Sequence, residues 1–185
     1  MSTPAGLHIR EAGPDEWDSA VHLSAQAYSE YKMNYSDEFW EGYKLSMRTS
    51  WYRDDLPVDR LVAVRDGRLL GCLLLYPPVK RLYERLAADI PYREIRLLAV
   101  DPSARGQGIA TSLIRECAER AKSGGDAFLG LHTTQQMPAA VRLYRSLGFE
   151  RAPEFDFPGS DEHTLVEAYR LPLTGEQSLL PAARS

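Results

Sequence analysis

The sequence predicts one α/β domain built around a mixed sheet. Short strand-like apolar runs alternate with helical stripes along most of the chain. Residues 97–110, Leu-Leu-Ala-Val-Asp-Pro-Ser-Ala-Arg-Gly-Gln-Gly-Ile-Ala, read as a buried strand, a tight turn and a glycine-rich loop that opens a helix. No internal repeat and no linker divides the sequence.

Taken in order, His8–Glu11 reads as a short first strand. Gly13-Pro14-Asp15-Glu16 opens a helix, with proline early and acids in the first turn. Trp17, Val21, Ser24/Ala25 and Tyr28 follow at helical spacing. Ser36-Asp37-Glu38 starts another helix, with Phe39, Tyr43 and Met47 in a stripe. Leu61–Val64 is a strand, and Asp66-Gly67 a hairpin turn into Leu69–Tyr76, which Pro77 and Pro78 stop. Residues 79–92 suit a helical insertion or a long loop, and Glu94–Val100 the strand before the glycine loop. A helix over 107–122 carries Ile109, Leu113, Ile114, Cys117 and Ala121 on one face, ended by Gly124-Gly125. A strand follows from Ala127. Pro138 starts the last helix and Gly148 caps it. Segments around Phe155 and 164–171 form a closing hairpin, and residues 174–185 a flexible tail.

Bulk properties narrow the class. The 185 residues suit one domain with a substantial core. The hydrophobic fraction of 44% and charged fraction of 26% are those of a soluble globular protein. No apolar run reaches the ~18 residues of a membrane helix, and no basic-then-apolar signal opens the chain. Two cysteines, Cys72 and Cys117, give neither a disulfide framework nor a metal spacing; both sit in apolar settings, and the cytoplasm is the expected compartment. A net charge of −4 argues against a general nucleic-acid binder and is compatible with a cationic amine.

The glycine loop carries the chemistry. At a helix start, free N–H groups converge and the dipole adds positive charge, while glycines let the backbone approach an anion closely. A pyrophosphate is a suitable guest. The loop is not a Walker loop, since no Gly-Lys-Ser/Thr follows. Nor is Arg105-Gly106-Gln107-Gly108-Ile109-Ala110 a dinucleotide fingerprint, because the first two glycines are out of register. By itself it is equally an ordinary strand-to-helix turn.

A second stretch, Met137-Pro138-Ala139-Ala140-Val141-Arg142-Leu143-Tyr144-Arg145-Ser146-Leu147-Gly148-Phe149, changes the reading. Together the two stretches resemble the GNAT superfamily of acyl-CoA-dependent N-acyltransferases. The family's Arg/Gln-x-x-Gly-x-Gly/Ala pattern is met by Arg105, Gly108 and Ala110. Its later Asn-x-x-Ala-x-x-Leu-Tyr-x-x-x-Gly-Phe pattern is met by Ala140, Leu143, Tyr144, Gly148 and Phe149, but Met137 replaces the asparagine. The core resemblance covers roughly residues 60 to 150. It implies a single GNAT domain over 1–173, with a central mixed, mostly antiparallel sheet flanked by helices, followed by the tail. It also implies acetyl-CoA as acyl donor, an amine as acceptor, no metal, no nucleic acid, no membrane, and, from family habit, a homodimer.

The resemblance also assigns roles. Leu98, Ala99 and Val100 would offer main-chain groups to the pantetheine arm, because the neighbouring strand of the family splays away there. Arg105, Gly106, Gln107, Gly108, Ile109 and Ala110 would cradle the pyrophosphate, with Ala140 and Tyr144 also contacting the cofactor. Arg142 and Arg145 are either phosphate partners or solvated. Tyr144 sits where the family places the general acid for the CoA thiolate, and a phenol of pKa ~10 suits that leaving group; the alternative is a packed structural tyrosine. Glu94 sits where some relatives place a base; the alternative is a surface ion pair with Arg93 or Arg96. Glu30, Asp37 and His132 are reserves for that role. Aromatics in 28–52, Tyr28, Tyr31 and Tyr35 among them, would line the acceptor pocket or simply pack. Neither cysteine lies beside the expected thioester, so direct transfer in a ternary complex is favoured over an acyl-enzyme. A non-catalytic acyl-CoA sensor and an enzyme for a longer acyl-CoA are the rivals.

Overall fold

The computed structural model describes residues 4–78, 89–159 and 164–173. Of the insertion expected over 79–92, residues 79–88 lie outside the described ones, as does the tail at 174–185; residues 89–92 are described and are not helical, with Ile90 and Tyr92 buried. The contacts of the chain gather into two compact units. The first holds residues up to Leu75 together with Arg96–Glu116, and the second holds Tyr76–Ile95 together with the chain from Cys117 onward.

In the first unit, β1 (His8–Glu11) pairs antiparallel with β2 (Asp59–Arg65), which pairs antiparallel with β3 (Arg68–Tyr76). The β2–β3 turn forms because Asp66 (φ 50°) and Gly67 (φ 72°) both take left-handed backbone, the combination that matches strand twist in a two-residue hairpin. Between β1 and β2 the chain makes two helices. A 3₁₀ turn at Pro14–Glu16 leads into α1 (Trp17–Tyr28). The second helix, α2 (Asp37–Trp51), starts where the Ser36 hydroxyl accepts the Phe39 amide at 3.1 Å. Met47 and Trp51 on α2 and Ala20 and Leu23 on α1 are buried along with Leu61–Ala63 and Cys72–Leu75. This is the unit's core, and Cys72 belongs to it: burial pushes its thiol up to about 12.

Strand β4 (Glu94–Val100) begins in the second unit and ends in the first. Its parallel register with β5 (Phe128–Thr133) covers Glu94↔Gly130 and Ile95↔Leu131. Two residues later Leu97 takes a left-handed φ of 52°. Helix α3 (Ile109–Ser123) follows the glycine loop and ends at Gly125, where φ is 83°. The second unit continues with α4 (Pro138–Ser146), β6 (Glu150–Arg151), β7 (Phe157–Pro158) and β8 (Leu165–Pro172). β8 is antiparallel to β5, β6 and β7. The result is an α/β fold whose mixed sheet is mostly antiparallel. The end of α4 is a Schellman motif: Phe149 N–H bonds the Tyr144 carbonyl at 3.0 Å, Gly148 N–H bonds Arg145 at 3.1 Å, and Gly148 has φ 93°.

Three boundaries differ from expectation. α3 starts at Ile109 rather than 107, because Gly106 (φ 74°) and Gly108 (φ 76°) cannot be helical. β5 starts at Phe128 and runs through Thr133, the stretch in antiparallel register with β8 from Pro172 to Glu167. Phe155 lies in a 3₁₀ turn (Pro153–Phe155), so the short strand beside β8 is Phe157–Pro158.

Gly71 on β3 seats α3 in the first unit. A Cβ at Gly71 would stand 2.8 Å from Ile109 Cγ2, 3.1 Å from Leu113 Cδ1 and 3.2 Å from the Ala99 carbonyl oxygen. Gly71→Ala is therefore expected to destabilise the fold by about 1–3 kcal/mol through overpacking. Chemical denaturation checks this, and a midpoint equal to that of the parent would remove the close approach.

Candidate functional site

The glycine loop is anchored at its start. The Asp101 amide bonds the Leu70 carbonyl at 2.9 Å, and its carboxylate accepts the Ser103 amide (2.8 Å) and hydroxyl (2.7 Å). Those two bonds hold the Asp101 carboxyl below its ordinary range. Ala104 is buried, while Arg105 through Gly108 are exposed. Gly106 and Gly108 both need left-handed backbone, and a Cβ at Gly106 would meet nothing within 4 Å. Space is thus left open at Gly106 where a side chain would stand, whereas a Cβ at Gly108 would meet Pro4 Cγ at 3.5 Å. The first helical bond runs from Ser112 N–H to the Gly108 carbonyl at 2.9 Å. The amides of Ile109, Ala110 and Thr111 precede it and point out along the helix start, with the partial positive charge of the dipole. The residues present therefore fit a pyrophosphate held on backbone.

Leu98, Ala99 and Val100 follow the left-handed Leu97 directly. Ala99 is buried, whereas Leu98 and Val100 keep partial exposure despite being apolar.

The loop's side chains are engaged within the first unit. Arg105 reaches the Glu30 carboxylate with two nitrogens, at 2.8 and 3.1 Å, and this bond holds Glu30 below the usual carboxylate range. Gln107 accepts from Arg65 at 2.8 Å. Arg65, on β2, escaped sequence reasoning because 42 positions separate it from Gln107. Its polar Nε is buried without a partner.

Tyr28, Tyr31 and Tyr35 come together with α2 in one run of rings. Tyr28 stands edge-on to Tyr31 (6.4 Å) and Tyr43 (5.9 Å), and Tyr35 stacks on Phe39 at 4.5 Å. Phe39 continues to Tyr43 at 6.0 Å. Tyr28, Tyr31 and Tyr35 are each half-buried. Burial and the Glu30 hydrogen bond push Tyr31 up to about 12, so it is a neutral donor. Of the other reserves, Asp37 is exposed and pairs with Lys32 at 3.2 Å.

In the second unit, Glu94 is 1% exposed and is not on the surface. Both its carboxylate oxygens lie 3.1 Å from His132 Nδ1, and His132 Nε2 lies 2.9 Å from the Phe155 carbonyl oxygen. Arg93, a sequence-level partner for Glu94, instead binds Asp126 at 2.7 Å. Gly130, opposite Glu94, has no room for a Cβ: it would stand 2.5 Å from the Tyr92 ring.

Tyr144 on α4 is 8% exposed, and its ring packs 5.7 Å from Phe149. Ala140 lies one turn earlier, partly exposed. Met137 is the residue before the helix, bonded through its amide to the Thr134 carbonyl at 3.0 Å. Its sulfur accepts the Thr133 hydroxyl at 3.8 Å, so where the resembled family carries an asparagine this chain has a thioether facing β5. Among the described residues no group of three or more His, Cys, Asp or Glu is placed to hold a metal, and no helix is long and apolar enough to cross a membrane.

Known proteins bear on this geometry. The Acetyltransferase (GNAT) family profile matches residues 17–149. A mycothiol acetyltransferase from Thermobispora bispora is 31% identical over 152 residues, covering 80% of this chain and 48% of that protein, so the chain spans about half of that relative's length. An L-2,4-diaminobutyric acid acetyltransferase from Nocardia farcinica is 26% identical and covers 92% of this chain and 93% of its own. The PaiA N-acetyltransferase of Thermoplasma acidophilum, solved in complex with coenzyme A, shares the fold at a TM-score of 0.68 and 18% identity, over 93% of this chain and 99% of that one. With the family profile spanning both motif stretches, the chain belongs to the acetyltransferase (GNAT) family.

Proposed function

We propose that this protein is an N-acetyltransferase that moves the acetyl group of acetyl-CoA to a primary amine by direct transfer in a ternary complex. The observation that carries the reading is the Gly106–Gly108 loop directly before the α3 amides, left-handed at both glycines and open where a Cβ would stand at Gly106. Acetyl-CoA supplies the activated thioester. The loop backbone from Gly106 to Ala110 would hold its pyrophosphate, and main-chain groups of Leu98–Val100 its pantetheine arm. An unpaired amide in a buried strand costs about 1–3 kcal/mol, which a cofactor amide would offset.

Two protons must move. The acceptor arrives as an ammonium and attacks as an amine, and Glu94 is the proposed proton acceptor. A thiolate leaves, and the Tyr144 hydroxyl is the proposed donor. Cys72 is buried with its thiol pushed up to about 12, and Cys117 is buried too, so neither supplies a ready nucleophile. The half-buried Tyr28, Tyr31 and Tyr35 are proposed to face the acceptor, where aromatic faces attract an ammonium by ~0.5–2 kcal/mol. The relatives' names include a diamino acid acetyltransferase of nearly the same length, which supports including small amines and amino acids among the first acceptors tried. We place the reaction in the cytoplasm.

The direct test is a screen of amine acceptors with acetyl-CoA, following free CoA thiol; acetyl-CoA binding without thiol release for any acceptor would favour the sensor alternative. Gly108→Glu puts a strained, negatively charged residue at the loop, and a large loss of acetyl-CoA affinity by calorimetry is expected with circular dichroism unchanged. Unaltered affinity would remove the cradle. Tyr144→Phe keeps the ring against Phe149 and deletes the proton. A fall in kcat of ~10²–10⁴-fold is expected with little change in acetyl-CoA affinity, measured under conditions where chemistry limits turnover. Parental kcat would return Tyr144 to a packing role.

A further inference from the structure

Arg10, Arg48 and Arg105 of the first unit each meet a carboxylate, at 2.7 Å (Glu16), 2.8 Å (Asp18) and 2.8 Å (Glu30). Arg65, the last residue of β2, does not. Its one hydrogen bond among the described residues runs from Nη1 to the Gln107 side-chain oxygen, at 2.8 Å. Gln107 stands between the two left-handed glycines of the loop. A guanidinium carries five N–H donors and no acceptor. This one is held at the loop by a single neutral oxygen, with its Nε buried and unpartnered.

The setting keeps that charge in place. The N-terminal turn braces the stem: Leu7 N–H bonds the Pro4 carbonyl at 3.0 Å, and a Cβ at Gly6 would stand 3.8 Å from Arg65 Cγ. The same turn reaches the loop, where Pro4 Cγ would be 3.5 Å from a Cβ at Gly108. Across the hairpin Arg65 is in register with Arg68. Arg68 lies 3.9 Å from Asp101, and that carboxylate already accepts the Ser103 amide and hydroxyl. Like charges opposite each other in a hairpin oppose its pairing. An arginine kept beside a glycine loop with no carboxylate of its own, and facing another arginine, is set for an anion from outside the chain.

We propose that Arg65, and not the motif arginine Arg105, is the first cation to meet a phosphate of acyl-CoA at this loop. This rests on the transfer reading above. The two arginines differ in what they must give up. Arg105 is bound by both oxygens of Glu30, so a phosphate has to displace a carboxylate to reach it. Arg65 gives up at most the neutral Gln107 oxygen, and its Nη2 makes no hydrogen bond among the described residues. A phosphate takes such a fork with two parallel charge-assisted N–H···O bonds. Arg65 thereby adds a full positive charge to the partial charge of the α3 amides, one side chain away from the backbone of Gly106 and Gly108.

Coenzyme A binding to the full chain, measured by calorimetry over a range of salt concentrations, tests the assignment without an acceptor. Arg65→Gln should weaken binding about tenfold, the size of one charge-assisted hydrogen bond. It should also flatten the fall of affinity with salt, because a screened charge has gone. Arg65→Met keeps the stem against Gly6 and should do the same, and it serves if the glutamine variant does not fold. Arg65→Lys should recover most of the salt dependence. Arg105→Gln with Glu30→Gln removes the competing pair as a unit and should lose less affinity than Arg65→Gln. Dephospho-coenzyme A separates the two phosphate sources. An equal loss for it places Arg65 at the pyrophosphate, and a loss confined to coenzyme A places it at the 3′-phosphate. Parental affinity in Arg65→Gln, a loss that keeps the parental salt dependence, or a loss at least as large in the double variant overturns the proposal. A parent that binds no coenzyme A removes the transfer reading as well, whereas parental binding indifferent to Arg65 removes this inference alone.

Discussion

One backbone conformation separates the stretch of β4 paired with β5 from the glycine loop, the left-handed φ of 52° at Leu97. For an L-residue with a full side chain that costs roughly 1–2 kcal/mol. It persists because the chain is fixed on both sides. Upstream, Glu94 and Ile95 are in register with Gly130 and Leu131. Downstream, Asp101 is bonded to Leu70, and α3 sits close on β3 at Gly71. Strain held in place by its neighbours in this way concentrates where a backbone must be presented to something else. The backbone groups proposed for the pyrophosphate and pantetheine arm, Leu98 to Ala110, all follow this kink directly.

Local elements were legible in sequence wherever one residue type is chemically required. Ser36 caps α2 because its hydroxyl reaches an orphan amide; Asp66-Gly67 turns because both residues tolerate positive φ; Gly148 ends α4 because a Schellman motif needs a left-handed residue there. The same reasoning, pressed further, corrects the start of α3: two glycines that permit an anion's approach also forbid two helical residues. Leu97 was not legible, since leucine carries no signal for left-handed backbone. The setting of Glu94 was not legible either. Its neighbours in sequence are arginines, which made a surface ion pair the natural alternative, yet its partner His132 is 38 positions away and the contact exists only because β4 and β5 run parallel there.

Charge at the loop deserves the same scrutiny, for the arginine that matches the family pattern is engaged elsewhere. Arg105 is bound twice by Glu30, and both side chains are 43% exposed, so the pair is worth little in stability and is readily exchanged. Arg65 is tied to Gln107, a neutral partner that leaves its charge in place, and Arg68 stands 3.9 Å from Asp101. The attraction proposed for an anion at this loop would therefore start from backbone amides at the head of α3. Arg105 is different: the phosphate proposed for this loop would compete with Glu30 for it. A phosphate that took Arg105 would leave Glu30 with the Tyr31 hydroxyl and no cation, among the aromatic rings proposed to face a cationic acceptor. In that arrangement the first ligand to bind would raise the negative charge available to the second, a coupling between two ligands that requires no movement beyond the exchange of one ion pair.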